Sequence, residues 1–339
     1  MAHVVIDAPT TTPGGYTVTL PVNNTETVYS LSINATNNHS GSNDPSYKAA
    51  ILELDGTLVF ASGSPGSLGG SLQTTIHESF GDSAEIVNAG SVDGFIQVEG
   101  DLLLTGTNGV YFIGWLQALS GTVTIDMTTI AEINGNELFD GIFDARGPGA
   151  VIILGGPRQN LIVNVDTITG PPAFPEGWTE IFFNDPSAVI QEWNGSHYVP
   201  LQTTLKEIGA RGTLDVLENS NYTTSNILTV AAGGALNLQA GTVTLGGLNI
   251  DGGVVDGFAT IASNVVNNGT LLGVGGTLDV LGTLTGTGVV LFDQGGTAGA
   301  AGATMELHAV SAGQTIVMNG TNTLQLAHLI QRTEAQAAF

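Results

Sequence analysis

The chain has 339 residues, 48 of them Gly, and sets 30 Asp plus Glu against 6 Lys plus Arg for a formal charge of −24. So acidic a chain repels nucleic acid and anionic membrane surfaces, which excludes both as partners. It attracts cations, Ca²⁺ foremost, since carboxylate and carbonyl oxygens are its ligands. With no cysteine, no disulfide framework holds the fold.

The first residues, MAHVVIDAPTTTPGG, have neither a basic n-region nor an apolar h-region, so no secretory signal peptide is expected. No stretch approaches the roughly 20 apolar residues of a membrane span. Residues 1–50 read as an N-terminal cap of irregular β segments, with strand signals at His3–Ile6, Tyr16–Leu20 and Val28–Ile33 and a polar loop at Asn34–Pro45. Residues 51–169 read as a first β-solenoid half. Ile51–Leu54, Thr57–Phe60, Leu102–Thr105 and Thr122–Asp126 are short apolar runs there, separated by corners such as Asp93-Gly94 and Asn134-Gly135. Residues 170–200 break the rhythm. They hold five of the twelve prolines and two of the three tryptophans, and proline cannot donate to a ladder, so an irregular excursion is expected. Residues 201–326 read as a second, more regular half. Leu326, Leu329 and Ile330 lie at helical spacing, which predicts a tail or short capping helix over 327–339.

The most regular stretch is Asn226–Gln294. Its runs alternate with period two: Leu236-Asn237-Leu238, Val243-Thr244-Leu245, Leu248-Asn249-Ile250, Leu278-Asp279-Val280. That is strand periodicity, with one apolar and one polar face. Strands so short gain stability only when successive coils stack. The hexapeptide Gly-Thr-Leu-Asp-Val-Leu occurs at Gly212–Leu217 and again at Gly276–Leu281. The offset of 64 residues (276 − 212) corresponds to three turns of roughly 20 to 22 residues. The expected fold is all-β, a right-handed parallel β-helix.

Asn267-Asn268-Gly269-Thr270-Leu271, Gly276-Thr277-Leu278-Asp279-Val280 and Gly282-Thr283-Leu284-Thr285-Gly286-Thr287-Gly288 carry a resemblance. This phrasing is similar to that of large bacterial exoproteins, namely autotransporter passengers and haemagglutinin-like secreted adhesins. The resemblance is close over Gly212–Gln294 and looser over Ile51–Gly156. It implies a right-handed β-helix and a place outside a bacterial cell, secreted or on the surface. It does not imply one activity, because the family includes adhesins, matrix proteins, proteases and esterases. No N-terminal export signal or membrane-anchoring barrel is read in this chain. Export by another route, or as a piece of a larger exported protein, is expected.

Polysaccharide lyases and galacturonases share this fold, but the strings that would mark them are missing: no Asp-Asp pair, no Gly-His-Gly, no Arg-x-Lys. A uronate lyase also needs cations beside its acids, and six Lys plus Arg supply few. Asp140, Asp144 and Arg146 form the best local acid–base group, and the plainer reading is a corner salt bridge. No catalytic residue is therefore assigned, and a non-enzymatic structural or adhesive module is expected. Its partner would be a cell-surface or extracellular polymer, or copies of itself. The alternative is a carbohydrate-binding or polysaccharide-active β-helix protein. Trp178, Trp193 and Tyr198, with Asp185, would then form the sugar platform, because aromatic faces stack on sugar rings while polar neighbours orient them. No cofactor is required. Any Ca²⁺ would sit on corner aspartates such as Asp251, Asp256 and Asp293.

Overall fold

Alternating runs become strands, and nearly all of those strands pair in parallel with a strand reached one short excursion later. This is seen in a computed structural model of the chain. It describes residues 2–7, 17–20, 25–34, 50–54, 57–60, 66–69, 74–77, 83–87, 89–107, 110–170, 179–292, 302–311, 313–318, 322–327 and 329–330. Among them the only helical turn is a 3₁₀ turn at Leu201–Thr203. The fold is all-β and mostly parallel. The chain divides into two units, Met1–Val165 with Glu180–Leu201, and Asp166–Thr179 with Gln202–Phe339.

In the first unit parallel pairing begins earlier than the sequence rhythm suggests. Ala2–Asp7 pairs with Thr25–Asn34, and Thr17–Leu20 pairs with Ala50–Leu54. One inward ladder then runs Ile86, Leu104, Ile125, Leu154, strand to strand in register, and ends on Glu192. All five side chains are buried. A second inward ladder runs Leu116, Phe143, Ile181. Part of the stretch expected to leave the rhythm is thus inside it. Val189–Trp193 pairs in register with Val151–Leu154, and Ile181 pairs with Phe143. Of the prolines in that stretch, Pro186 occupies the turn between two strands and Pro200 ends the short antiparallel strand Tyr198–Pro200, so neither interrupts these pairings; 171–178 lie outside the described residues.

In the second unit the chain visits three parallel ladders in rotation. The first carries Leu214, Leu236, Val255, Leu271 and Val290. The second carries Ile261, Val280, Leu307 and Leu326. The third carries Leu228, Leu248, Val265, Leu284, Val310 and Leu329. All five members of the first ladder are 0% exposed. At roughly 25 cal/mol per Å² of apolar surface, such stacks supply the main stabilising term.

Side chains at the corners tie successive turns together. Asn221 Oδ1 accepts from Thr242 N at 3.1 Å, Asn264 Oδ1 from Thr283 N at 3.0 Å, and Asn268 Oδ1 from Thr287 N at 3.2 Å. In the first unit Asp101 Oδ1 accepts from Thr122 N at 2.7 Å. Each bond spans 19 to 21 residues, about one turn. Gly241 shows why glycine dominates these bends. Its φ is +80°, and a Cβ there would lie 2.1 Å from Ser220 O of the preceding turn.

Where a tail or short capping helix is expected over 327–339, the described residues around its start are extended. Thr323–Leu326 and Leu329–Ile330 are strands, and Leu329 pairs with Val310, so a place in the ladder overrides helical spacing; residues 331–339 lie outside the described residues. The two hexapeptides are also not three turns apart on one face. Three steps from Leu214 lead to Leu271 in the first ladder, whereas Val280 belongs to the second.

Candidate functional site

A buried polar cluster of the first unit is built across adjacent strands. Gln97, Gln117 and Asp144 occupy equivalent register positions on three successive strands. Gln97 Nε2 donates to Gln117 Oε1 and Gln117 Nε2 donates to Asp144 Oδ2. Asn184 Nδ2 donates to Asp144 Oδ1 at 2.6 Å, and Arg146 Nε donates to Oδ2 at 3.1 Å. The Asp144 side chain is fully buried while that of Arg146 is 43% exposed. The guanidinium lies 5.9 Å from the centre of the Trp115 ring, which itself stacks on Phe182. Asp140 accepts from Gly141 N at 2.8 Å.

Two further buried carboxylates hold backbone. Asp126 accepts from Arg158 N at 2.7 Å and Gln159 N at 2.9 Å, and Glu192 Oε1 accepts from Val165 N at 2.7 Å. Both carboxylates thus hold backbone N–H groups of neighbouring loops in place.

The aromatic platform is brought together in part. Trp193 and Tyr198 lie opposite each other in the antiparallel pair, with ring centroids 5.0 Å apart and planes tilted by 59°. The hairpin between them is closed by Asn194 Oδ1, which accepts from Ser196 N and His197 N, each at 3.0 Å. Burial of the Tyr198 hydroxyl, and the charge of Asp126, push its pKa up. Ile162 is 57% exposed and lies beside Gly195 of this hairpin. Asp185 is occupied elsewhere. It closes its own turn by accepting from Ser187 Oγ at 2.5 Å and Ser187 N at 2.8 Å, which lowers its pKa. Trp178 lies outside the described residues.

In the second unit the predicted Ca²⁺ ligands do not gather into one described cluster. Asp251 is exposed at the end of Gly247–Asp251, and Asp293 lies outside the described residues. Asp256 belongs to a polar column with Asp215 and Asn237, in which Asn237 Nδ2 donates to Asp215 Oδ1 at 2.8 Å. Burial raises the Asp256 pKa. Among the described residues, the group whose ligand atoms converge is another: Asp279, Glu306 and His308, all within 4.8 Å of one another. Asp279 pairs in register with Glu306, and His308 follows two residues later on the same outward face. No local motif in the sequence marks His308 as a ligand. The signal available was the alternation Glu306-Leu307-His308, but its partner lies 27 positions back (306 − 279), beyond any local motif.

Comparison with known proteins found no matching family model, no matching curated protein and no matching solved structure. Among the described residues no helix is long and apolar enough to cross a membrane.

Proposed function

We propose that the chain is a right-handed parallel β-helix serving as a structural or adhesive module outside a bacterial cell. It works through repeated surface contacts or self-assembly rather than by catalysis. The observation that carries this reading is the rotation of the second unit through three parallel ladders, with apolar columns inward and Thr, Asn and Asp columns outward. Parallel crossovers are right-handed in about 98% of cases, which gives the hand. Repeated outward columns provide many weak polar contacts whose avidity adds by multivalency. Open ladder ends pair readily with further strands, a route to assembly between copies. The likeness of Asn267–Gly288 to exoprotein repeats supports the location, and the buried acids Asp126, Asp144 and Glu192, each accepting from backbone or neighbouring side chains, support a structural use of buried charge.

A second reading, carbohydrate binding, is favoured by the Trp193–Tyr198 ring pair on its hairpin. Purified chain would be tested by sedimentation for self-assembly and by co-sedimentation with insoluble cell-surface polysaccharide, with Trp193→Ala/Tyr198→Ala alongside. The structural reading expects assembly or binding that the double variant retains. Glycan binding lost in the double variant would transfer the conclusion to the second reading. A monomer that associates with no polymer, surface or copy of itself would overturn both.

A further inference from the structure

The outward column Thr242, Thr260, Asp279, Glu306, Gln325 places two acids side by side in register. Strands of a parallel ladder are about 4.8 Å apart, so these carboxylates face each other at close range and repel. The sequence has no Lys or Arg between residues 212 and 331 to neutralise them. The complementary group present is an imidazole: His308 Nε2 lies 3.2 Å from Asp279 Oδ1. That oxygen is buried and has no hydrogen-bond donor in good geometry. Glu306 contributes a third ligand atom within 4.8 Å of the other two.

We propose that Asp279, Glu306 and His308 form a solvent-open site for one divalent transition-metal ion of the Zn²⁺ class. One imidazole nitrogen with two carboxylate oxygens is a donor set such ions accept, whereas Ca²⁺ prefers six to eight oxygens. Ligand atoms about 2.0 to 2.1 Å from a tetrahedral ion stand about 3.3 Å apart. The Asp279–His308 separation of 3.2 Å already matches this. Only a rotamer adjustment of Glu306 remains to bring the third oxygen in. The His308 side chain is 45% exposed, so the remaining coordination positions face solvent, where water or an oxygen of a neighbouring polymer completes the shell. The ion would cancel the repulsion between Asp279 and Glu306 and link two successive turns. This inference does not depend on where the chain works.

The test uses the full chain, stripped with chelator and titrated with Zn²⁺ by calorimetry, with His308→Ala and Glu306→Gln in parallel. One equivalent should bind to the wild type, and each substitution should weaken that binding about 100-fold or more, since even groups behind a ligand are worth 10- to 100-fold. No stoichiometric uptake, or uptake that both variants retain, would overturn the site and leave a simple His308–Asp279 ion pair. Tight Ca²⁺ binding that His308→Ala does not change would overturn the choice of ion. Should His308→Ala fail to fold, substoichiometric Co²⁺ added to wild type decides the matter by NMR. The His308 ring signals should broaden ahead of those of the other five histidines (6 − 1), and equal or absent broadening would refute the proposal.

Discussion

Replacing Asp144 by Ala separates a structural acid from a catalytic one. The carboxylate has no exposed surface and accepts from three side chains, Gln117, Asn184 and Arg146. Gln117 is 1% exposed and Asn184 2%. Their amides would lose this acceptor in a place water does not reach. Each buried donor left unpaired costs about 1 to 3 kcal/mol, so the two together cost about 2 to 6 kcal/mol. Arg146 adds little, because its half-exposed guanidinium turns to solvent. Asp140→Ala is the control: its bond to Gly141 N is at a partly exposed corner, and the loss should be about 1 kcal/mol. Stacked folds lose strict two-state behaviour, so the quantity to measure is native-state amide exchange across residues 97, 117, 144 and 184 rather than one melting point. Tenfold in exchange is about 1.4 kcal/mol, so Asp144→Ala should accelerate these amides by about 30-fold or more. Acceleration below tenfold, or an equal effect from Asp140→Ala, would refute the anchoring role.

Asp256→Asn should stabilise the second unit at pH 7. Burial raises the folded pKa of Asp256 above its ordinary 3.8, so the cost of the buried charge is absent below that value and fully present above the raised one. Urea midpoints at pH 7 and pH 3 should show a gain at the first and none at the second. Gly241→Ala should cost about 2 kcal/mol or more in urea unfolding, because alanine resists φ near +80° and its Cβ would strike Ser220 O; a variant of wild-type stability would mean that the turn relaxes freely.

Strand alternation was readable residue by residue. Leu236, Leu238, Leu248, Ile250, Leu278 and Val280 point inward, as period two requires, while Asn237, Asn249 and Asp279 between them are partly exposed. Step length was not readable. Leu248 pairs with Val265, 17 residues on (265 − 248), and Leu278 with Met305, 27 residues on (305 − 278). Corners absorb such differences without disturbing the ladder, so the hexapeptide offset misled. The same variability hid the meeting of Asp279, Glu306 and His308, because cross-strand neighbours follow from register and no local pattern encodes it. For the aromatic platform, sequence proximity placed Trp193 near Tyr198 but also suggested Asp185, which its own Ser187 turn claims.

The parallel register has a consequence for how the chain acquires its structure. Parallel partners lie between 16 residues apart (271 − 255) and 40 apart (207 − 167), which is about 0.05 to 0.12 of the 339-residue length. All-β domains commonly average about 0.16 to 0.22 on this measure, and helical bundles about 0.07 to 0.12. Each new strand finds its partner in the turn just completed, so closing the next loop costs little entropy. Order can therefore spread along the chain from one formed turn, in step with synthesis. A chain made from one end would zip itself up as it emerges.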